Sequence, residues 1–310
     1  MQIVREIENY ISNNSPLYLA LGNFDGLHLG HQKLIKQMVN AAKSEMGMTA
    51  AFVFEPHPNK VLFPDKPIQL LVTAEHKAEL MEQLGVNLLI YNTFNLEIAK
   101  CSPEEFVKRI LVNKLKVKQV FVGFNYTFGH KGAGTPELLQ EFGGKYGFKV
   151  NIIPPVKING EVVSSSIIRK ALEAGDIKKA RIMLGYNPMF EGQVIEGEHR
   201  GRAIGFPTAN LGISPEINIP GKGVYAAQCK LGSNLYKAVV NIGSKPTFHK
   251  EYPISIEAHL IDFQGDLYGQ KIRLYFLEKI RDERKFDNVE ELVKQITRDR
   301  DLAQRIASLE

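Results

Sequence analysis

The order of apolar and polar positions divides the chain into two parts with different periodicities. In residues 16–153, short apolar runs typical of buried strands alternate with segments whose apolar residues recur every three or four positions, as in amphipathic helices. The predicted strands are 17–22, 49–54, 87–91, 119–123 and 148–153. The helical patterns between them are 31–45, 73–84, 103–114 and 135–146. This alternation predicts an α/β domain whose parallel sheet is covered by helices on both faces.

The pattern changes after Val162, where two short helices are predicted at 164–173 and 176–184. Beyond Asn187-Pro188 the helical periodicity gives way to strand-like runs separated by glycines and prolines. These runs are 189–195, 222–231, 235–242, 253–263 and 270–280. They predict a small antiparallel barrel, followed by a terminal amphipathic helix over 288–309. We set the domain boundary near residue 186, which gives domains 1–186 and 187–310.

Composition narrows the classes of function. The chain of 310 residues has a formal net charge of +5 and no block rich in lysine and arginine, so nucleic acid is not an expected partner. Its two cysteines, Cys101 and Cys229, lie far apart and form no metal-binding motif. We expect both to be free thiols, as in a protein of the reducing cytoplasm. A charged N-terminus and the lack of a long apolar run argue against a secretory signal or a membrane helix. We therefore expect a cytoplasmic protein with small-molecule partners, and its oligomeric state stays open.

Residues 20–31, Ala-Leu-Gly-Asn-Phe-Asp-Gly-Leu-His-Leu-Gly-His, follow the first predicted strand of the α/β part. Gly22 and Gly26 allow a tight turn, and a helical pattern begins at Gly30. The start of a helix presents unpaired N–H groups and the positive end of the helix dipole, which together bind anions. His28 and His31 are three residues apart and could both face such an anion. The segment therefore predicts a phosphate site at the end of this strand.

Three more polar clusters follow predicted strands or open a helix. Phe54-Glu55-Pro56-His57-Pro58 comes after the second strand, where His57 could also serve only as a cap. Gly123–Gly129 comes after the fourth strand and contains Asn125, which can donate and accept, and Phe128, which offers a flat aromatic face. Ser164–Arg169 opens a helix with three serines and an arginine, more donors than a single cap needs.

Together these motifs resemble the nucleotidyltransferase superfamily and, within it, the N-terminal module of bacterial bifunctional FAD synthetases. The resemblance implies transfer of an adenylyl group from ATP to FMN, which yields FAD and pyrophosphate. It assigns ATP binding to a set of residues in which His28 and His31 also stabilise charge during catalysis: Gly22, Phe24, Asp25, His28, His31, Ser165, Ser166 and Arg169. It assigns the flavin side of the pocket to His57, Asn125 and Phe128. Ser166 stands where the family often has threonine, and the hydroxyl is kept.

A second dense motif, Gly201-Arg202-Ala203-Ile204-Gly205-Phe206-Pro207-Thr208-Ala209-Asn210, lies in the predicted barrel. Thr208 and Asn210 alternate as in a strand, so their oxygens are expected on one side. Hydroxyl and amide oxygens, together with phosphate oxygens and water, are suitable ligands for Mg²⁺.

With the segments around Gly223, Asn241, Glu257 and Asp266, this motif resembles riboflavin kinase. The resemblance implies a six-stranded barrel that transfers the γ-phosphate of ATP to riboflavin. It makes Glu257 the general base, and Thr208 and Asn210 the ligands of Mg²⁺. It assigns ATP binding to Gly201, Arg202, Gly205, Pro207, Thr208 and Asn210, and flavin covering to Arg281. The neighbours Ile256 and Ala258 do not decide whether Glu257 instead points outward into solvent.

The two resemblances cover nearly the whole chain and predict consecutive reactions, from riboflavin to FMN and from FMN to FAD, with ATP as co-substrate at both sites. Two alternatives stay open at this point. One is a nucleotidyltransferase with another acceptor. The other is a flavin-binding regulator that has lost turnover.

Overall fold

The computed structural model describes residues 1–12, 14–66, 68–197, 201, 204–212, 214–244 and 254–309. The chain forms two compact units, Met1–Ser164 and Ser165–Glu310, and each is described by itself.

The first unit is built on a six-stranded parallel sheet. Its strands are β1 (Gln2–Arg5), β2 (Leu17–Leu21), β3 (Met48–Glu55), β4 (Leu88–Thr93), β5 (Val117–Gly123) and β6 (Lys149–Ile153). Their spatial order is β1-β4-β3-β2-β5-β6, with every pairing parallel. The five predicted strands are confirmed. The sequence misses β1, an edge strand in which Val4 alone is buried, because so short a run carries little apolar signal.

Helices connect the strands and cover both faces of the sheet. They are α1 (Leu29–Lys43), α2 (Pro58–Leu62), α3 (Ala74–Gln83), α4 (Leu96–Ala99), α5 (Pro103–Phe106) and α6 (Pro136–Tyr146). The helix that begins at Pro103 continues as a π-helical segment, Val107–Lys114. Its start is a complete capping box in which Ser102 and Glu105 exchange hydrogen bonds. A two-stranded ribbon, β7 (Lys157–Ile158) and β8 (Glu161–Val162), ends the unit.

Alternate side chains of the strands enter two separate cores. Leu17, Leu19 and Leu21 of β2 pack with the cluster around Phe106, whereas Tyr18 and Ala20 pack with the cluster around α1. In the sheet, β3 lies on one side of β2 and β5 lies on the other. The direction in which successive strands are added to the sheet therefore reverses between β2 and β5. Ligands of open α/β sheets bind at the carboxyl ends of the strands beside such a reversal.

The second unit begins with α7 (Ser165–Glu173) and α8 (Ile177–Leu184), and then forms a closed antiparallel barrel. Its six strands are β9 (Met189–Ile195), β10 (Ala209–Leu211), β11 (Gly223–Leu231), β12 (Asn234–Ser244), β13 (Ile254–Leu260) and β14 (Lys271–Arg281). Around the barrel the order is β10-β13-β12-β11-β14-β9, which confirms the predicted architecture. The compact units divide before the predicted boundary near residue 186, because α7 packs on α8 and α8 packs on β14.

The last helix, α9 (Val289–Ser308), packs on the outer surface of the barrel. Its Ala303 and Ala307 meet Val224, Ala226 and Val239, which project outward from β11 and β12. The barrel therefore has two buried surfaces, its interior and the strip beneath this helix.

Candidate active sites

The two histidines of the first motif lie at the carboxyl end of β2, beside the reversal of strand order. Phe24 adopts a left-handed conformation with φ of 49°, and Gly26 follows with φ of 76°. This turn brings His28 to the N-cap of α1, where its Nδ1 accepts a hydrogen bond from the His31 backbone N–H at 3.4 Å. The two imidazole rings stack with centroids 3.7 Å apart and planes 16° apart.

Gly30, between the histidines, lies close to the His28 ring. A Cβ at this position would lie 3.1 Å from Cε1 of the His28 ring. On the other side the fully buried Phe24 ring meets His31 edge-on, with centroids 5.2 Å apart. Both imidazoles are therefore held between fixed neighbours at the start of the helix, which is the preorganisation an anion site needs.

Burial keeps both imidazoles neutral. It lowers the pKa of His28 to about 4. It also lowers the pKa of His31 well below the ordinary value, and electrostatic repulsion from Lys77, and from His28 when that ring is protonated, acts in the same direction. Nδ1 of His31 is buried and has no hydrogen-bond partner within the described residues. At neutral pH the histidines therefore act as N–H donors, while the N-terminus of α1 contributes partial positive charge.

The structure brings a buried lysine to this turn that the sequence reasoning missed. Lys77 of α3 is 8% exposed, and its Nζ donates a 2.8 Å hydrogen bond to the backbone carbonyl of Asn23. The carboxylate of Asp25, also buried, accepts the backbone N–H of Leu71 at 2.9 Å. A signal was available, because Lys77 lies one turn before the fully buried Met81 on the apolar stripe of its helix.

A cavity of about 700 Å³ opens beside the histidine turn in the same unit. Aromatic side chains dominate its lining, which includes Phe52, Phe54, Phe63, Phe94, Phe106, Tyr126 and Phe128 together with Gly22 and Asn23. Phe128 is buried and stacks on Tyr126 with centroids 5.7 Å apart. An apolar cavity of this size suits a planar aromatic ligand.

The other predicted flavin residues lie outside this lining. His57 caps α2, since its Nδ1 accepts the backbone N–H of Asn59 at 3.2 Å, whereas Pro58 and Asn59 line the cavity. Asn125 is exposed in the turn after β5. Direct flavin contacts by His57 and Asn125 stay predictions.

Ser165, Ser166 and Arg169 lie in the first turns of α7, in the second compact unit. Arg169 follows the serines by three and four positions, so the three side chains share one side of the helix. Their convergence with His28 and His31 on one triphosphate stays a prediction.

In the barrel, strand register gathers a second polar cluster around Glu257. On one side Glu257 lies directly opposite Asn210 of β10, and on the other it lies opposite Asn241 of β12. Ile256 and Ala258 point into the barrel interior, so Glu257 lies on the outer surface, where it is half-buried. Thr208 and Asn210 share this surface, since Ala209 between them is buried. The base candidate and the candidate metal ligands are thus neighbours.

The loop before β10 is folded back tightly on itself. Gly201 accepts a hydrogen bond from the Phe206 backbone N–H at 2.8 Å, and a Cβ on Gly201 would lie 2.3 Å from the Phe206 carbonyl oxygen. Gly205 has φ of 85°. Pro207 and Thr208 line a cavity of about 600 Å³ together with residues 263–268. Arg202 lies outside the described residues.

Arg281, at the end of β14, is bound to the terminal helix. Its guanidinium pairs with Asp299 at 2.8 and 2.9 Å, and Gln295 donates to the same carboxylate at 2.7 Å. Asp299 is 2% exposed. Arg281 therefore tethers the barrel to α9, and its contact with flavin stays a prediction.

Two features are absent from the described residues. No helix there is long and apolar enough to cross a bilayer. No group of three or more histidine, cysteine, aspartate or glutamate side chains in the described ranges could hold a metal ion.

Comparison with known proteins covers both units. A family model described as FAD synthetase matches residues 10–167, and one described as riboflavin kinase matches residues 184–307. The bifunctional riboflavin kinase/FMN adenylyltransferase of Bacillus subtilis is 40% identical, over 94% of this chain and 92% of that protein. The protein of the same name from Escherichia coli strain K12 is 33% identical, over 96% of both chains.

Among solved structures, a crystal structure described as a macrolide-efflux protein from Streptococcus pneumoniae has a TM-score of 0.90 and 29% identity, covering 98% of this chain and 99% of that one. Two family models in succession and relatives matched over nearly their full length agree with the two motif sets and the two folds. The chain belongs to the bifunctional riboflavin kinase/FMN adenylyltransferase family.

Proposed function

We propose that the chain makes FMN in its barrel and FAD in its sheet domain, with the residue roles given below. Riboflavin kinase and FMN adenylyltransferase are the activities of the family to which the chain belongs. The main support for these roles is that each unit has its own polar cluster. In the first unit the rings of His28 and His31 are stacked. In the second, Glu257 lies between Asn210 and Asn241.

In the sheet domain, a phosphate oxygen of FMN attacks the α-phosphorus of ATP. The bond from this phosphorus to the oxygen bridging to the β-phosphate breaks, and pyrophosphate leaves. The neutral imidazoles of His28 and His31 donate N–H groups to the phosphates, and the N-terminus of α1 adds partial positive charge. No covalent enzyme intermediate is needed, because positioning and electrostatics carry this kind of transfer.

The aromatic cavity holds the flavin ring system in this reaction. It adjoins Gly22 and Asn23 of the histidine turn, so a ring bound there extends its phosphate toward His28 and His31. Phe128 and Phe54 offer flat and edge contacts to the ring.

In the barrel, the Glu257 carboxylate accepts the proton of the terminal ribityl hydroxyl of riboflavin as this oxygen attacks the γ-phosphorus of ATP, and ADP leaves. Thr208 and Asn210 fit a magnesium site, since both present hard oxygens on the surface that Glu257 shares. Mg²⁺ bound there would neutralise charge on the ATP phosphates. We also propose a cytoplasmic location, which agrees with two cysteines that form no disulfide.

Glu257→Gln tests the base, because it keeps the shape of the side chain and removes its basicity. Riboflavin phosphorylation should fall about 10²- to 10⁴-fold, the usual contribution of a general base, while FMN adenylylation is unchanged. Glu278→Gln, an exposed carboxylate on β14, is the matched control. Undiminished phosphorylation by Glu257→Gln would remove Glu257 from this role.

His28→Ala combined with His31→Ala tests the phosphate site. Incubation with riboflavin, ATP and Mg²⁺, followed by chromatography, should show FMN without FAD, so the kinase serves as the internal control. FAD formation at the parent rate would contradict the role of the histidines. A tight flavin complex without any product from the parent chain would favour a regulator over an enzyme.

A further inference from the structure

Lys77 is the buried cation nearest to the histidine turn in the described part of the first unit, and the reaction as proposed does not use it. The side chain leaves α3 and ends at the Asn23 carbonyl, 2.8 Å away. That carbonyl directly precedes Phe24, the first residue of the turn in a left-handed conformation. Lys77 therefore forms a hydrogen bond with the backbone at the point where the chain leaves β2 and changes direction.

Burial lowers the pKa of Lys77 below its ordinary value, and two nearby carboxylates partly offset this effect. Desolvation lowers the pKa of Lys77, whereas the carboxylates of Asp25 in the turn and Glu55 at the end of β3 raise it. His31 on α1 also interacts with Lys77, whose positive charge contributes to lowering the pKa of the imidazole. A buried lysine is costly unless it is paired and hydrogen-bonded, and here the Asn23 carbonyl supplies the hydrogen bond.

We propose that Lys77 is a positioning residue of the adenylyltransferase site, holding the Asn23 carbonyl so that the turn stacks His28 on His31 beneath the phosphates. This inference rests on the proposed function of the histidines. Lys77 acts through the turn and through its charge. The ammonium fixes the backbone on one side of Phe24, while the Phe24 ring fixes His31 on the other.

The charge has a second effect on the same site. A neutral imidazole has one acceptor nitrogen and one N–H donor. By opposing protonation of His31, the charge of Lys77 adds to the effect of burial, which is the larger cause of the lowered pKa of that imidazole. The positive charge that attracts the triphosphate then comes from the ammonium and the helix N-terminus.

The test compares Lys77→Met, which keeps the length of the side chain without its charge, with Lys77→Arg, which keeps the charge. Lys36→Met, an exposed lysine of α1, is the matched control. Each chain is assayed for kcat and KM of both reactions. The histidines of the unliganded chain are titrated by nuclear magnetic resonance, with His31 assigned by its loss in His31→Gln.

In Lys77→Met, kcat/KM for FMN adenylylation should fall about 10- to 100-fold, the effect of losing one hydrogen bond from a charged group. Riboflavin phosphorylation should be unchanged. The pKa of His31 should rise in Lys77→Met and stay depressed in Lys77→Arg, a difference that a purely structural role would not produce.

Adenylylation within twofold of the parent, or a His31 titration that Lys77→Met leaves unmoved, would overturn the inference. Loss of the folded sheet domain in Lys77→Met, seen as collapse of its histidine signals, would also overturn it, since Lys77 would then be a structural residue. Failure of the parent chain to form FAD would instead overturn the proposed function itself.

Discussion

Mild acid should destabilise the sheet domain, because His28 is buried in its neutral form. Burial lowers its pKa in the folded chain to about 4, against an ordinary value of 6.5. As the pH falls through 6.5, His28 becomes protonated in the unfolded chain, whereas in the folded chain it becomes protonated only near pH 4. The unfolded state binds more protons over this window, so stability is full above it and declines as the pH falls through it.

The two values set the size of the effect. Between pH 7 and pH 5 His28 alone should remove about 2 kcal/mol from the free energy of unfolding, and the loss levels off at about 3 kcal/mol below pH 4. His31, whose pKa is also lowered by burial, acts in the same direction. Bound ATP should oppose the loss, because it binds the folded state alone.

Hydrogen exchange of peptides from α1, followed by mass spectrometry and corrected for the pH dependence of the intrinsic rate, measures the opening free energy of this domain. The parent is compared with His28→Gln, which cannot titrate, and with His130→Gln, an exposed histidine of the same unit. The parent and His130→Gln should lose about 2 kcal/mol more than His28→Gln between pH 7 and pH 5. Equal losses in the parent and His28→Gln would refute the reasoning.

Two further substitutions test contacts that the fold depends on. Asp299→Ala leaves the Arg281 guanidinium without its buried partner and should lower the free energy of unfolding, measured in urea, by about 3 kcal/mol. Its control is Asp301→Ala, which removes an exposed ion pair and should lower this free energy by less than about 1 kcal/mol. Equal effects of the two substitutions would contradict a structural role for the buried pair. Gly30→Ala brings a methyl group within 3.1 Å of the His28 ring and should lower kcat/KM for FMN adenylylation about tenfold through misplacement of the ring. Riboflavin phosphorylation is its control, and an unchanged adenylylation rate would show that the ring moves aside without cost.

Most of the secondary structure follows from local chemistry. The capping hydroxyl of Ser102 and the proline after it set the start of a helix. Short apolar runs identified five of the six strands of the sheet, and helical periodicity identified the long terminal helix. The edge strand β1 escaped prediction, because its pairing with β4 stabilises a segment whose own sequence has no strong preference.

The candidate sites divide in the same way. The spacing of His28 and His31 and the order of the two motif sets can be read along the chain, since a turn and a helix start are local structures. Helices packed against the sheet produce the stacking of these two rings and the burial that keeps them neutral. The same packing brings the Lys77 ammonium to the Asn23 carbonyl.

Whether Glu257 faces the barrel interior or its outer surface was undecided by alternation alone. Burial of Ile256 and Ala258 in the barrel interior puts Glu257 on the outer surface, and the register of three strands sets it between Asn210 and Asn241. Register depends on hydrogen bonds between segments far apart in sequence, so only the tertiary structure could decide it.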